Sequence, residues 1–184
     1  EQAVTEYGFK AIKIYPVYNE VKPDDSRTFP IYEAMQGLGV PIIVHMGFTS
    51  SVLNAECYAP LEYQHPFHLD KVLASFPELK LVCAHFANPW GEELMMLMRK
   101  YPNLYADLAY EYFPVDLKAR NLVWAKFFGL LDRLFWGSDY PVEDPSFGLS
   151  DIQRLTQIAA KMGLEPELTA EDLVPVLGAN ATRV

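Results

Sequence analysis

Several things are scarce in this chain of 184 residues, and each scarcity excludes a class of protein. There are only two cysteines, Cys57 and Cys83, far apart and not in a CxxC pair. A disulfide framework is excluded, and the expectation is a pair of reduced thiols in a cytoplasmic protein. No Lys/Arg cluster relieves a net charge of -9 and a pI near 4.9, so neither nucleic acid nor an anionic membrane is expected as a partner. No run is apolar for long enough to span a bilayer, and no signal-peptide pattern opens the chain. No GxGxxG or GxxxxGK turn follows any candidate strand, which counts against a nucleotide-binding sheet. An initiator Met is lacking too, and the first apparent strand comes almost at once.

What is present is a soluble composition, 51% hydrophobic and 21% charged, with no linker or low-complexity tract. We therefore expect one domain over residues 1–184. Short β-rich runs recur at 11–15, 41–46, 79–85, 104–109 and 133–138, with helical patterns between them. A helix is predicted over 28–39, ending in glycines, and others over 68–77 and 89–102. The last of these has acids in its first turn and Arg99 and Lys100 in its last, as the helix dipole prefers. Met95, Met96 and Met98 read as its core positions. Further helices are expected over 116–129, over 150–163 with Ser150 as N-cap, and near the carboxyl terminus with Thr169 as N-cap. Strands alternating with helices imply parallel β/α units, in an open doubly wound sheet or in part of a (β/α)8 barrel.

In such folds chemistry gathers beyond the carboxyl ends of the strands. Three strands end on a potential metal ligand: His45 in "IIVHMG", His85 in "LVCAHFAN" and Asp139 in "FWGSDYP". A lone strand-end histidine is ordinarily a core or loop residue, and an aspartate in Gly-Ser-Asp-Tyr-Pro is ordinarily a turn residue. Three such ends together suggest nitrogen and oxygen donors for a divalent transition ion.

The segments "GFKAIKIYP", "VPIIVHMG", "HLDKVLASFPELKLVCAHFANPW", "YPNLYADLA", "LFWGSDYP" and "LTAEDLVPVLGANATRV" follow one another as they do in the amidohydrolase-related family. The resemblance covers nearly the whole chain. It implies an α/β fold, a partial TIM barrel holding strands 4 to 8 with their helices and lacking the first three β/α units. It implies that His45 is a metal ligand, that His85 lies beside the metal or contacts substrate, and that Asp139 approaches the metal and moves a proton. The family's first-strand His-x-His or Glu-x-His pair has no counterpart among the four histidines (45, 65, 68 and 85).

The activity so implied is a metal-dependent hydrolase of a small ester, lactone or amide, with Zn2+ or Mn2+. The alternative is non-oxidative decarboxylation of an aromatic or muconate-type acid. An alternative of another class is a truncated, metal-free fragment without catalysis. No arginine is obviously placed at the rim for an acid substrate, which favours hydrolysis. Asn88, Trp90, Lys13 and Tyr140 are the further candidates for contact with a small-molecule substrate, and Tyr110, Glu111 and Tyr112 also follow a strand. His68 is read as a helix-start residue. A homo-oligomer, a dimer, is expected of such a barrel.

Overall fold

A computed structural model describes residues 1–49, 60–109, 114–142 and 144–184, with the backbone alone over 147–153. Cys57, Tyr110, Glu111 and Tyr112 lie outside the described residues. The chain divides into two compact units, Glu1–Tyr105 and Ala106–Val184. Strand order follows chain order, β1-β2-β3-β4-β5.

The first unit holds α1 (Gln2–Thr5), β1 (Ile12–Ile14), α2 (Phe29–Leu38), β2 (Ile42–Val44), α3 (His68–Ser75), β3 (Leu81–Cys83) and α4 (Gly91–Lys100). β2 lies between β1 and β3 and runs parallel to both, with Ile42 opposite Ile12 and Leu81, and Val44 opposite Ile14 and Cys83. Each parallel step is bridged by a helix, as the topology of parallel pairing requires. In β2 the apolar residues divide by parity, while β3 is buried along its whole length. Ile42, Val44, Leu81 and Cys83 are fully buried, with Leu69, Val72, Leu73, Leu94, Met95 and Met98 from α3 and α4 also in the core. Lys13 and Ile43 point to the other face, where Lys13 is exposed.

The helix ends follow the sequence closely. α2 stops where Gly39 turns left-handed at φ 66° and its N–H returns to the carbonyls of Met35 and Gln36. α4 carries Glu92 and Glu93 in its first turn and Arg99 and Lys100 in its last. Met96 corrects the expectation of three core methionines. Met95 and Met98, three apart, share the buried face, and Met96 turns outward to 45% exposure. His68 opens α3 with its Nδ1 2.9 Å from Asp24 Oδ1.

The second unit takes in the last two residues of β4 (Leu104–Asp107), which pair in parallel with β5 (Leu134–Phe135), Ala106 opposite Leu134 and Asp107 opposite Phe135. Its helices are α5 (Val115–Phe127), α6 (Pro145–Lys161) and α7 (Ala170–Leu173), with α5 and α7 both packed on α6. α6 starts five residues before the expected Ser150. Asp144 is its N-cap, accepting from the Ser146 N–H at 2.8 Å, and Pro145 follows with a backbone already preset for a helix. α7 has the expected Thr169 cap, closed into a capping box by Asp172. The terminal segment holds the end of β5. Buried Asn180 donates to the carbonyls of Leu131 and Leu134, and the Trp136 N–H donates to Val176.

Candidate active site

The first unit brings two of the sequence candidates into contact. The Nδ1 of His45 and the Nε2 of His85 are 3.0 Å apart, with the rings edge to face at 4.6 Å. His45 follows β2 directly and is 8% exposed. Its backbone N–H donates to Ile14 in β1, which continues the strand ladder by one residue. Tyr15 lies flat on its ring at 4.8 Å, and Tyr18 lies on the far side of Tyr15 at 5.3 Å. A stack of three rings therefore fixes the plane of His45.

His85 reaches its partner through an unusual backbone. After β3 the chain passes through three successive left-handed residues, His85, Phe86 and Ala87, at φ 58°, 49° and 49°. For residues with a Cβ each costs roughly 1–2 kcal/mol. A packed setting holds them, since Phe86 and Ala87 are fully buried. Strain of this kind concentrates where side chains must be aimed.

Burial holds the His45 imidazole neutral and pushes its pKa down to about 3, with the His85 ring and the Lys13 ammonium adding to the effect. The Nζ of Lys13 lies 4.8 Å above the Tyr15 ring. A cation, a ring stack and a pair of imidazoles thus share the exposed side of β1 and β2.

Two residues that sequence reasoning passed over complete the arrangement. Thr49 Oγ1 is hydrogen-bonded to His45 Nε2, and Gln64 Nε2 donates to the same hydroxyl. The amide orientation of Gln64 is tied down, because its Oε1 accepts the Thr49 N–H at 3.3 Å. The loop after β2 is held on two sides. The Gly47 N–H donates to Gln64 O at 3.0 Å and the Phe48 N–H to Asn88 O at 2.7 Å. The one legible signal was Thr49 standing four residues after His45; nothing marks Gln64.

Asn88 is 2% exposed, and its carbonyl braces Phe48. Trp90 lies beside His65, ring centroids 5.0 Å apart. Asp139 belongs to the second unit. It stands four residues beyond the end of β5, in the left-handed region at φ 58°, half-buried, with its carbonyl accepting the Val142 N–H. Tyr140 is 75% exposed.

The donor chemistry of the histidine pair suits a divalent transition ion, since both candidates are imidazole nitrogens and burial keeps His45 neutral. Among the described residues, however, no three His, Cys, Asp or Glu side chains gather into a set that could hold one. The pair is at most part of a ligand shell.

The family model described as "Amidohydrolase" matches residues 1–184. The protein fluG of Emericella nidulans is 29% identical over 116 residues, which are 61% of this chain and 13% of that protein. An uncharacterized TIM-barrel protein from Bordetella bronchiseptica superposes with a TM-score of 0.72 at 24% identity, covering 99% of this chain and 59% of its own. A dihydroxybenzoic acid decarboxylase from Polaromonas, solved with bound manganese and 2-nitroresorcinol, gives 0.68 at 14% identity, covering 100% and 62%. The chain thus spans about three-fifths of these solved relatives.

Proposed function

The chain belongs to the amidohydrolase family, and on that premise we propose that it is part of a metal-dependent enzyme that decarboxylates a small unsaturated or aromatic acid. In this reading the 184 residues hold strands four to eight of a (β/α)8 barrel, and a Zn2+ or Mn2+ ion would be held by His45 together with ligands that are not among the described residues. His45 is one ligand, and His85 contacts the substrate.

The observation that carries the choice of reaction is the exposed ammonium of Lys13 beside the buried, neutral His45. The sequence favours hydrolysis only in that no arginine is obviously placed at the rim to hold an acid substrate. Lys13 removes that objection and supplies a group to hold a substrate carboxylate. The reaction then breaks the bond between carbon and the departing CO2, and the electron pair left on carbon takes up a proton. We assign delivery of that proton to Asp139 on the family resemblance alone. Asn88 shapes the loop behind the site, and Trp90 and Tyr140 are candidate walls for the substrate.

The test is a metal-supplemented assay of CO2 release from a panel of hydroxybenzoates and muconate-type acids. Turnover is expected, with Lys13→Met raising KM about tenfold, as loss of one charge contact of roughly 1.4 kcal/mol would do. His45→Ala and His85→Asn should abolish it. Cleavage of an ester or lactone, unaffected by Lys13→Met, would return the reaction to hydrolysis, with Asp139 taking the proton of the attacking water. Absence of bound metal together with absence of any turnover would leave the non-catalytic fragment as the reading.

A further inference from the structure

We infer that Gln64 and Thr49 are positioning residues that dictate which nitrogen of His45 carries its proton. The inference concerns the site just proposed, but it is argued and tested without any turnover.

The side chains around His45 form a chain of donors. A glutamine amide has distinct ends, and the Thr49 N–H on Oε1 at 3.3 Å selects the orientation in which Nε2 faces the hydroxyl of Thr49. Gln64 therefore donates to Thr49 Oγ1. A hydroxyl has a single proton to give. Of its hydrogen bonds among the described residues, the one left for that proton is to His45 Nε2. Nε2 is then the acceptor nitrogen, and the neutral ring keeps its proton on Nδ1. That proton points at His85 Nε2, 3.0 Å away, so His85 accepts there and carries its own proton on Nδ1. One amide, itself oriented by the Thr49 N–H, thus sets the direction of three hydrogen bonds in series.

The arrangement has the marks of a built network. Gln64 is 1% exposed, at the end of a short 3-10 turn, and His45 is 8% exposed. The backbone ties Gly47 to Gln64 and Phe48 to Asn88, which keeps Thr49 within reach. Burying an amide is costly without partners, and among the described residues the hydrogen bonds of the Gln64 amide fall on Thr49. The chemical consequence is that the lone pair of His45 resides on Nε2. An imidazole acts as a ligand or base through the nitrogen that lacks the proton, and the partner of the other nitrogen decides which one that is.

The experiment is a long-range 1H–15N correlation spectrum of the 184-residue protein, at neutral pH with chelator present, with ring signals assigned by loss in His45→Gln and His85→Asn. The unmodified protein is expected to show His45 protonated on Nδ1. Thr49→Ser should keep that pattern. Gln64→Glu should reverse it, because a carboxylate cannot donate and takes the threonine proton instead, leaving His45 to donate through Nε2. Thr49→Val should erode the preference. A His45 protonated on Nε2 in the unmodified protein overturns the inference without any variant having to fold. So does a Gln64→Glu protein, folded by circular dichroism, whose His45 pattern is unchanged.

Discussion

At the scale of single residues, the loop after β2 shows how much of this site depends on backbone freedom. Gly47 has φ 82°, and a Cβ built there would lie 2.6 Å from Asn88 O and 2.8 Å from the Ala87 carbonyl carbon. The left-handed conformation and the backbone clash both disfavour a side chain, and neither obstacle can swing aside as a flexible side chain would. Gly47→Ala is therefore expected to destabilise the protein by more than about 2 kcal/mol, read as a fall in the urea midpoint at constant m. Gly37→Ala is the control, since it lies within α2 with open space around its Cβ position. It should be neutral or stabilising by up to about 1 kcal/mol. A Gly47→Ala protein as stable as the control would mean that the loop relaxes freely. His45 and His85 were legible at this scale because each closes a β-rich run. Of their partners, Thr49 carries only its spacing of four from His45, and Gln64, fifteen residues further on, follows no period.

At the scale of elements, the sequence pattern located all five strands but drew them longer than they are. β5 is only Leu134–Phe135, although the run 133–138 reads as a strand. Apolarity continues past the point where pairing stops, because residues beyond the ladder are still partly buried. The start of α6 was misplaced for a different reason. Asp144-Pro145 is itself a start signal, a cap followed by the residue suited to the first helical turn, and Ser150 lies a turn and a half inside. α2 makes a testable case of what burial does. Tyr32 is fully buried and donates to Pro23 O at 2.9 Å, and burial pushes its hydroxyl up to about 12 from 10.0. Its folded-state pKa is thus above the unfolded one. The corresponding stability is fully present below about pH 10 and is lost as pH rises from there towards 12, since the unfolded chain releases the proton first. A shift of two units is worth roughly 2–3 kcal/mol at the limit. Tyr32→Phe should cost about 1 kcal/mol at neutral pH, because the Pro23 carbonyl retains the Thr28 hydroxyl at 2.9 Å. The difference between the two proteins should then shrink and reverse at high pH in urea titrations. A constant difference across that range would show that Tyr32 does not feel its burial.

At the scale of the whole molecule, no helix among the described residues is long and apolar enough to cross a membrane. The family was legible from the order of short segments, while the full ligand set was not, because the described residues supply only a pair of imidazoles. Self-association is the remaining property that the sequence raised and the surface bears on. α5 packs on α6 through part of its circumference, yet Trp124 and Phe127, three residues apart and so on one side of the helix, are 37% and 70% exposed. Scattered exposed apolar residues are ordinary, but two large aromatics on a single helix face make a patch suited to pairing with a second copy. Acting against this is a net charge of -9, which repels like molecules and is screened within about 10 Å at 0.1 M salt. Two signatures follow for a homodimer through α5. Sedimentation velocity should show the dimer fraction rising with protein concentration and rising again with salt, as screening lifts the repulsion. Phe127→Asp should return the protein to monomer at every salt concentration, because it buries a carboxylate against a copy of itself, while far-UV circular dichroism stays unchanged. An association equally strong in Phe127→Asp would move the contact to another surface, and a monomer at all concentrations would remove dimerisation from the description of these 184 residues.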